Sequence, residues 1–194
     1  MGQVVISTNA TLDGVVEDPD GKEGFALGGW FAENGGADLD AWFEVATAEA
    51  LHAEALLLGR RSDEWFGRRW TTRSTELANR LNSLPKYVVS SRSEQPVWTN
   101  ATVVSGNVVD EVSKLKQTVA GEILVYASAQ LARGLLKHGL VDELRLVVFP
   151  VVLGAGRRLF DQTSARTPLR LVKSETIGEN LAFLTYRPEV TRDH

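Results

Sequence analysis

Leu56-Leu57-Leu58-Gly59-Arg60-Arg61-Ser62 is the stretch on which the reading of this chain turns. A short apolar run closed by glycine is the pattern of a buried strand whose end lets backbone approach closely. Two guanidinium groups and a hydroxyl follow at once, and arginine forks match phosphate geometry while staying charged. In open α/β sheets, ligands bind outside the carboxyl ends of parallel strands, where helix N-termini present unpaired N–H groups to anions.

Outward from this stretch the same grammar recurs. Residues 3–12 open with a β-branched strand and lead into a long segment crowded with turn formers, Asp18-Pro19-Asp20-Gly21, Gly28-Gly29 and Gly35-Gly36. That segment also carries Phe25, Trp30 and Phe31, which favours a loop covering a pocket over a disordered one. From Asp38, placed as a cap, Leu39, Trp42, Phe43, Ala46 and Ala50 fall at helical spacing, so the first helix is expected to begin there. Ser62 starts a further helical turn, and residues 76–84 another helix before Pro85. Strands at 86–90, 102–104 and 122–126 follow, with helices at 108–118 and 129–138. Such alternation implies parallel strands joined by crossover helices. After Gly139 the pattern changes to strands at 144–152, 169–177 and 181–186 without helices between them, which should pair antiparallel at one side of the sheet. The expectation is one α/β domain over residues 1–188, a three-layer fold whose mixed, mostly parallel central sheet carries helices on both faces, followed by a tail at 189–194.

Composition narrows the function. A chain of 194 residues, 43% hydrophobic, encloses one sizeable core, since a domain of this size buries roughly 70% of its unfolded surface. A net charge of -4 argues against nucleic acid as a partner and makes any anion site local. Cysteine is absent, and His52, His138 and His194 lie far apart, so no metal site is expected. The start, Met1-Gly2-Gln3-Val4-Val5-Ile6, has no basic leader and too short an apolar run for a membrane span, which predicts a cytoplasmic chain with no membrane partner.

Two further strand ends share the chemistry of the first. Tyr87-Val88-Val89-Ser90-Ser91-Arg92 repeats hydroxyl, hydroxyl, arginine, and Ile123-Leu124-Val125-Tyr126-Ala127-Ser128-Ala129-Gln130 brings a small-residue turn into a helix start suited to a pyrophosphate. An arginine after a strand is ordinarily a solvated surface residue, and Gly59 alone is an ordinary turn glycine. Three such ends in an acidic protein point instead to a phosphorylated cofactor. The arginines favour NADPH over NADH, because the extra ribose phosphate wants a guanidinium partner. No Gly-x-Gly-x-x-Gly motif is present, so the Rossmann fingerprint is not the basis of this reading.

These residues carry a family resemblance. Leu58-Gly59-Arg60-Arg61-Ser62 resembles the Gly-Arg-(Arg/Lys)-Thr motif of dihydrofolate reductases and of the C-terminal reductase domain of bifunctional riboflavin deaminase-reductases. Val89-Ser90-Ser91-Arg92 is similar to their second cofactor loop. Leu140-Val141-Asp142-Glu143-Leu144 and Pro150-Val151-Val152-Leu153-Gly154 resemble the Val-Asp-Glu-Leu and Pro-x-x-x-Gly signatures of the riboflavin-type branch, and Thr11-Leu12-Asp13-Gly14 its Ser-Leu-Asp-Gly opening. The likeness spans residues 4–186 and lacks a deaminase half, which implies a stand-alone member with a dihydrofolate-reductase-like fold.

The resemblance implies that Gly59, Arg60, Arg61 and Ser62 contact the cofactor diphosphate and ribose phosphate, that Ser90, Ser91 and Arg92 hold the adenosine end, and that Ala127, Ser128, Ala129, Gln130 and Leu131 meet the pyrophosphate. It places Asp13, Gly14 and Val15 near the nicotinamide, with Trp30, Pro150, Leu153 and Gly154 on the substrate side. Each has a plainer reading beside it: Asp13-Gly14 is first a turn signal, and Trp30 and Phe31 can anchor a loop as well as stack on a heterocycle. Alanine at 127 stands where the family usually has glycine, which puts the cofactor turn under question. Asp40 and Glu44 on the first helix do not align with the acid that assists protonation in dihydrofolate reductases, so the proton donor stays unassigned. The implied activity is NADPH-dependent reduction of a small heterocyclic or ribosylamine substrate. The competing reading is a homodimeric small-molecule-binding protein on the same scaffold, with residues 144–152 and the turn after them as the contact.

Overall fold

Leu56, Leu57 and Leu58 are all fully buried. Strand β2 (Ala53–Gly59), which carries them, lies between β3 (Lys86–Val89) and β5 (Glu122–Tyr126) and is parallel to both. In the computed structural model, which describes residues 1–90, 95–160 and 166–189, these strands belong to one eight-stranded sheet. The other members are β1 (Gln3–Thr11), β4 (Ala101–Val104), β6 (Glu143–Phe149), β7 (Leu169–Ile177) and β8 (Leu181–Pro188). Their order is β4-β3-β2-β5-β1-β6-β8-β7. All pairs from β4 to β6 are parallel, whereas β8 runs antiparallel to both β6 and β7. The antiparallel part therefore joins the parallel part through β6, which is parallel to β1 on one side. This is the predicted mixed sheet, with β6 an interior strand that ends at Phe149.

The helices are α1 (Trp30–Gly35), α2 (Leu39–His52), α3 (Arg60–Trp70), α4 (Glu76–Ser83), α5 (Val108–Thr118) and α6 (Ala129–Lys137). Side chains of β2 alternate between two cores. Leu56 and Leu58 pack with Ala46 and Ala50 of α2, Trp70 of α3 and Leu77, Ala78 and Leu81 of α4. Leu57 packs with Val112 and Leu115 of α5 and with Ala132 and Leu135 of α6. Helices on both faces explain why this strand has no polar side. None of the described helices is long and apolar enough to cross a membrane.

Several boundaries differ from the sequence reading. The strand expected over residues 144–152 spans Glu143–Phe149, so the turn after it begins earlier. The segment 18–36 is not all loop, because α1 begins at Trp30. Asp38 precedes α2 without capping it. Its carboxylate accepts instead from the backbone N–H groups of Glu179 (2.8 Å) and Asn180 (3.0 Å), pinning the β7–β8 turn. Helix α3 starts at Arg60, directly at the strand end, and not at Ser62.

Candidate active site

The carboxyl ends of β1, β2 and β5 open into one cleft of about 1050 Å³. Gly59, Arg60, Arg61, Ser62, Ser90, Ala127, Ser128, Ala129, Gln130 and Leu131 all line it, so ten of the twelve residues expected to bind the cofactor share one cavity. Ser91 and Arg92 lie outside the described residues.

Two strand ends are tied together by Ser128. Its hydroxyl accepts from the Gly59 N–H (2.9 Å) and lies 2.5 Å from the Ser62 hydroxyl. A β-carbon at Gly59 would come within 3.2 Å of the same oxygen, so a side chain there would press on the Ser128 hydroxyl that joins β2 to the start of α6. Neither α3 nor α6 has a side-chain cap on its first turn, whereas Thr75 caps α4 and Asn107 caps α5. The first-turn N–H groups of α6 are thus left to an external acceptor. Ala127 and Ser128 both adopt the left-handed conformation, at φ 52° and 54°. The shape that glycine would serve is therefore present, with the strain of two L-residues held in it.

Charge in the cleft is distributed unevenly. Arg60 is paired with Glu64, while Arg61 is exposed. Near the end of the same helix, Arg69 lies 4.1 Å over the Trp65 ring and 3.8 Å from Asp20. Trp42, Phe43, Trp65, Phe66 and Trp70 supply an apolar surface. Such a wall suits a flat heterocycle.

The residues expected on the substrate side gather elsewhere. Asp13 accepts from the Thr11 hydroxyl (2.6 Å) and from the backbone N–H groups of Leu153 (3.2 Å) and Gly154 (2.9 Å). The Thr11 hydroxyl foremost, with these N–H groups, lowers the Asp13 carboxyl to about 2. Gly14 and Val15 continue the latch, the former accepting from Leu159 N–H and the latter bridging to Arg158. Asp13, Gly14, Val15, Pro150, Leu153 and Gly154 are thereby brought together, but none is among the described residues lining the cleft. Val16 and Arg157 stand at its wall instead. Trp30 is a correction: it is only 1% exposed, its indole donates to the Glu17 carbonyl (2.9 Å), and its ring meets Phe149 edge-on. It anchors the loop and presents no face to a ligand, whereas Asp18, Asp20, Lys22, Glu23 and Phe31 from the same segment do line the cleft.

Sequence reasoning missed the polar floor. Ser7 and Asn9 on β1, Tyr126 on β5 and Glu49 on α2 all face the cleft. Asp40 and Glu44 are exposed. The signal for Glu49 was available, since it completes the stripe Trp42, Val45, Ala46, Glu49 that α2 turns toward the cleft.

Comparison with known proteins agrees with this architecture. Residues 3–183 match the RibD C-terminal domain. The chain is 29% identical to the uncharacterized protein YyaP of Bacillus subtilis over 189 residues, spanning 95% of this chain and 94% of YyaP. A putative riboflavin biosynthesis protein from a Shewanella species superposes with a TM-score of 0.74 at 21% identity, over 96% of this chain and 99% of that one. A dihydrofolate reductase from Enterococcus faecalis, solved in complex with NADP(H), gives 0.61 at 15% identity over 96% of each chain. These likenesses establish a dihydrofolate-reductase-like fold.

Proposed function

The chain belongs to the RibD C-terminal domain family, and from that premise we propose that it is an NADPH-dependent reductase of a small heterocyclic or ribosylamine substrate. The observation that carries this reading is the convergence of Gly59, Arg61, Ser62, Ser90 and the uncapped start of α6 on one cleft. The site fits a dinucleotide on its own chemistry: a glycine where backbone must come close, unpartnered helix N–H groups for a pyrophosphate, and guanidinium groups for a further phosphate.

In this reading the N–H groups of Ala129, Gln130 and Leu131 bind the pyrophosphate. Arg61, with Arg60 and the loop at Ser90, Ser91 and Arg92, binds the ribose phosphate and adenosine. Ser128 sets the distance between the two strand ends. NADPH, when bound, supplies the hydride. The aromatic wall orients a planar acceptor and excludes water, which is most of what a protein contributes to hydride transfer.

Deuteride transfer tests the activity. NADPH deuterated at the transferable position is incubated with the protein and a panel of ribosylaminopyrimidine, dihydrofolate and flavin acceptors. The proposal expects deuterium in one reduced product. Tight NADPH binding without transfer to any class of acceptor would favour the binding-protein reading instead.

A further inference from the structure

Beneath the cleft lies a cluster of charges that the cofactor reading does not use. Arg145 on β6 contacts three carboxylates, Glu49 (3.3 Å), Glu122 (2.8 Å) and Glu143 (2.8 Å). Glu143 also meets Arg187, whose side chain is half exposed. Three carboxylates share two guanidinium groups, so ionising all three leaves uncompensated negative charge in a mostly buried place. One of them is better accommodated carrying a proton.

Geometry singles out Glu49. It lines the cleft, unlike Glu122 and Glu143, and its side chain is 10% exposed. Its other oxygen accepts from the Ser7 hydroxyl at 2.8 Å. The groups around it are Ser7 on β1, Glu122 and Tyr126 on β5, and Arg145 and Glu143 on β6. From α4, Arg80 is occupied by the carbonyls of Ala50 and Ala53. Burial pushes the Glu49 carboxyl up from its ordinary value, against the pull of Arg145 and the Ser7 hydrogen bond. A second observation stands beside it: the Tyr126 hydroxyl is buried without any hydrogen-bond partner and belongs to the same cleft floor. Burial also drives that phenol well above 10, so it keeps its proton. Asp18, a buried carboxylate that also lines the cleft, is held below its ordinary range, because the N–H groups of Glu23, Phe25 and Lys22 outweigh its burial.

Resting on the NADPH reading above, we propose that Glu49 is the proton source of the reduction, held in place by Ser7 and Arg145. The step balances. The electrophilic carbon of a C=N bond gains the hydride as NADPH becomes NADP+, and the nitrogen takes the proton as the Glu49 O–H bond breaks. The carboxylate left behind is only partly balanced by Arg145, which it shares with Glu122 and Glu143, and so regains its proton from water.

Two measurements free of substrate test this. In the infrared, the unliganded wild type should show a protonated-carboxyl band that persists above the ordinary carboxylate range and that Glu49→Gln lacks, and Ser7→Ala should move its titration midpoint upward by removing a bond to the ionised form. Calorimetry in two buffers of different ionisation enthalpy then counts protons on binding NADP+ and NADPH. In this proposal a nicotinamide bound next to Glu49 would favour the ionised carboxylate when positively charged, and would not when neutral. NADP+ should therefore release more protons than NADPH in the wild type, and equally many in Glu49→Gln. Absence of the band, or a midpoint unmoved in Ser7→Ala, overturns the inference whether or not Glu49→Gln folds. Equal proton counts in the wild type overturn it while leaving the cofactor reading intact. Failure of both dinucleotides to bind overturns the cofactor reading, and this inference with it.

Discussion

Ala127 concentrates the account at the scale of a residue. A left-handed backbone costs an L-residue roughly 1–2 kcal/mol, and Ala127 sits at φ 52°. Glycine would remove that strain but add about 0.4–1 kcal/mol of chain entropy to the unfolded state. Ala127→Gly is therefore expected to stabilise the protein by about 0.5–1 kcal/mol, a rise of roughly 1–4 °C in Tm for a domain of this size. NADPH binding should hold or strengthen, and a thermal melt with and without NADPH checks both. Asp13 gives a pH signature. Its carboxyl falls from 3.8 to about 2 in the folded chain, so its stabilisation is complete above about pH 4 and is lost as pH falls toward 2. Asp13→Asn should lower Tm at pH 7 and flatten this acid limb, as denaturant melts between pH 2 and 5 would show. The backbone donors on Asp13 lie 140 and 141 residues away, so an Asp-Gly pair that reads as a turn signal gave no hint of its long-range role. Glu49 went unread although it stands at helical spacing with Trp42, Val45 and Ala46, and its partner Arg145 left no local signal.

At the scale of elements, strand interiors and the starts of α4, α5 and α6 were readable, whereas the start of α3 and the whole of α1 were not. Residues 122–126 and 108–118 match β5 and α5 because apolar runs and an Asn107 cap mark them locally. Helix α1 escaped because its six residues lie among glycines, and what stabilises it is the burial of Trp30 against Phe149. Trp30→Ala should cost about 3–5 kcal/mol in denaturant unfolding. Trp30→Phe should leave the NADPH-induced change in tryptophan fluorescence intact, and Trp65→Phe should diminish it. An unchanged signal in Trp65→Phe would remove that ring from the ligand wall. The junction of β2 with α6 has its own test. Ser128→Ala strips the Gly59 N–H of its acceptor and Ser62 of its partner, which should cost about 1–3 kcal/mol in denaturant unfolding. NADPH affinity should fall too, because the spacing of the two strand ends is no longer fixed.

Across the whole molecule, alternation of strands and helices implied a parallel sheet, and the change after Gly139 implied its antiparallel part. The spatial order was not legible, since placing β5 between β1 and β2 depends on contacts between distant segments. That insertion brings the Gly59 turn and the Ala127 turn together over β1 and creates the cleft. The phosphate-binding expectations came from local chemistry at strand ends and share one cavity for that reason. The substrate-side expectations came from resemblance alone, and the structure places none of them among the described residues lining the cleft. The central claim is that this cavity is shaped for NADPH. Calorimetric titration of the wild type and Arg61→Ala with NADPH and NADH tests it most directly. The account predicts one NADPH per chain, bound about tenfold or more tighter than NADH, a preference worth about 1.4 kcal/mol or more that shrinks toward zero in Arg61→Ala. Equal affinity for the two dinucleotides in the wild type, or binding of neither, would contradict it.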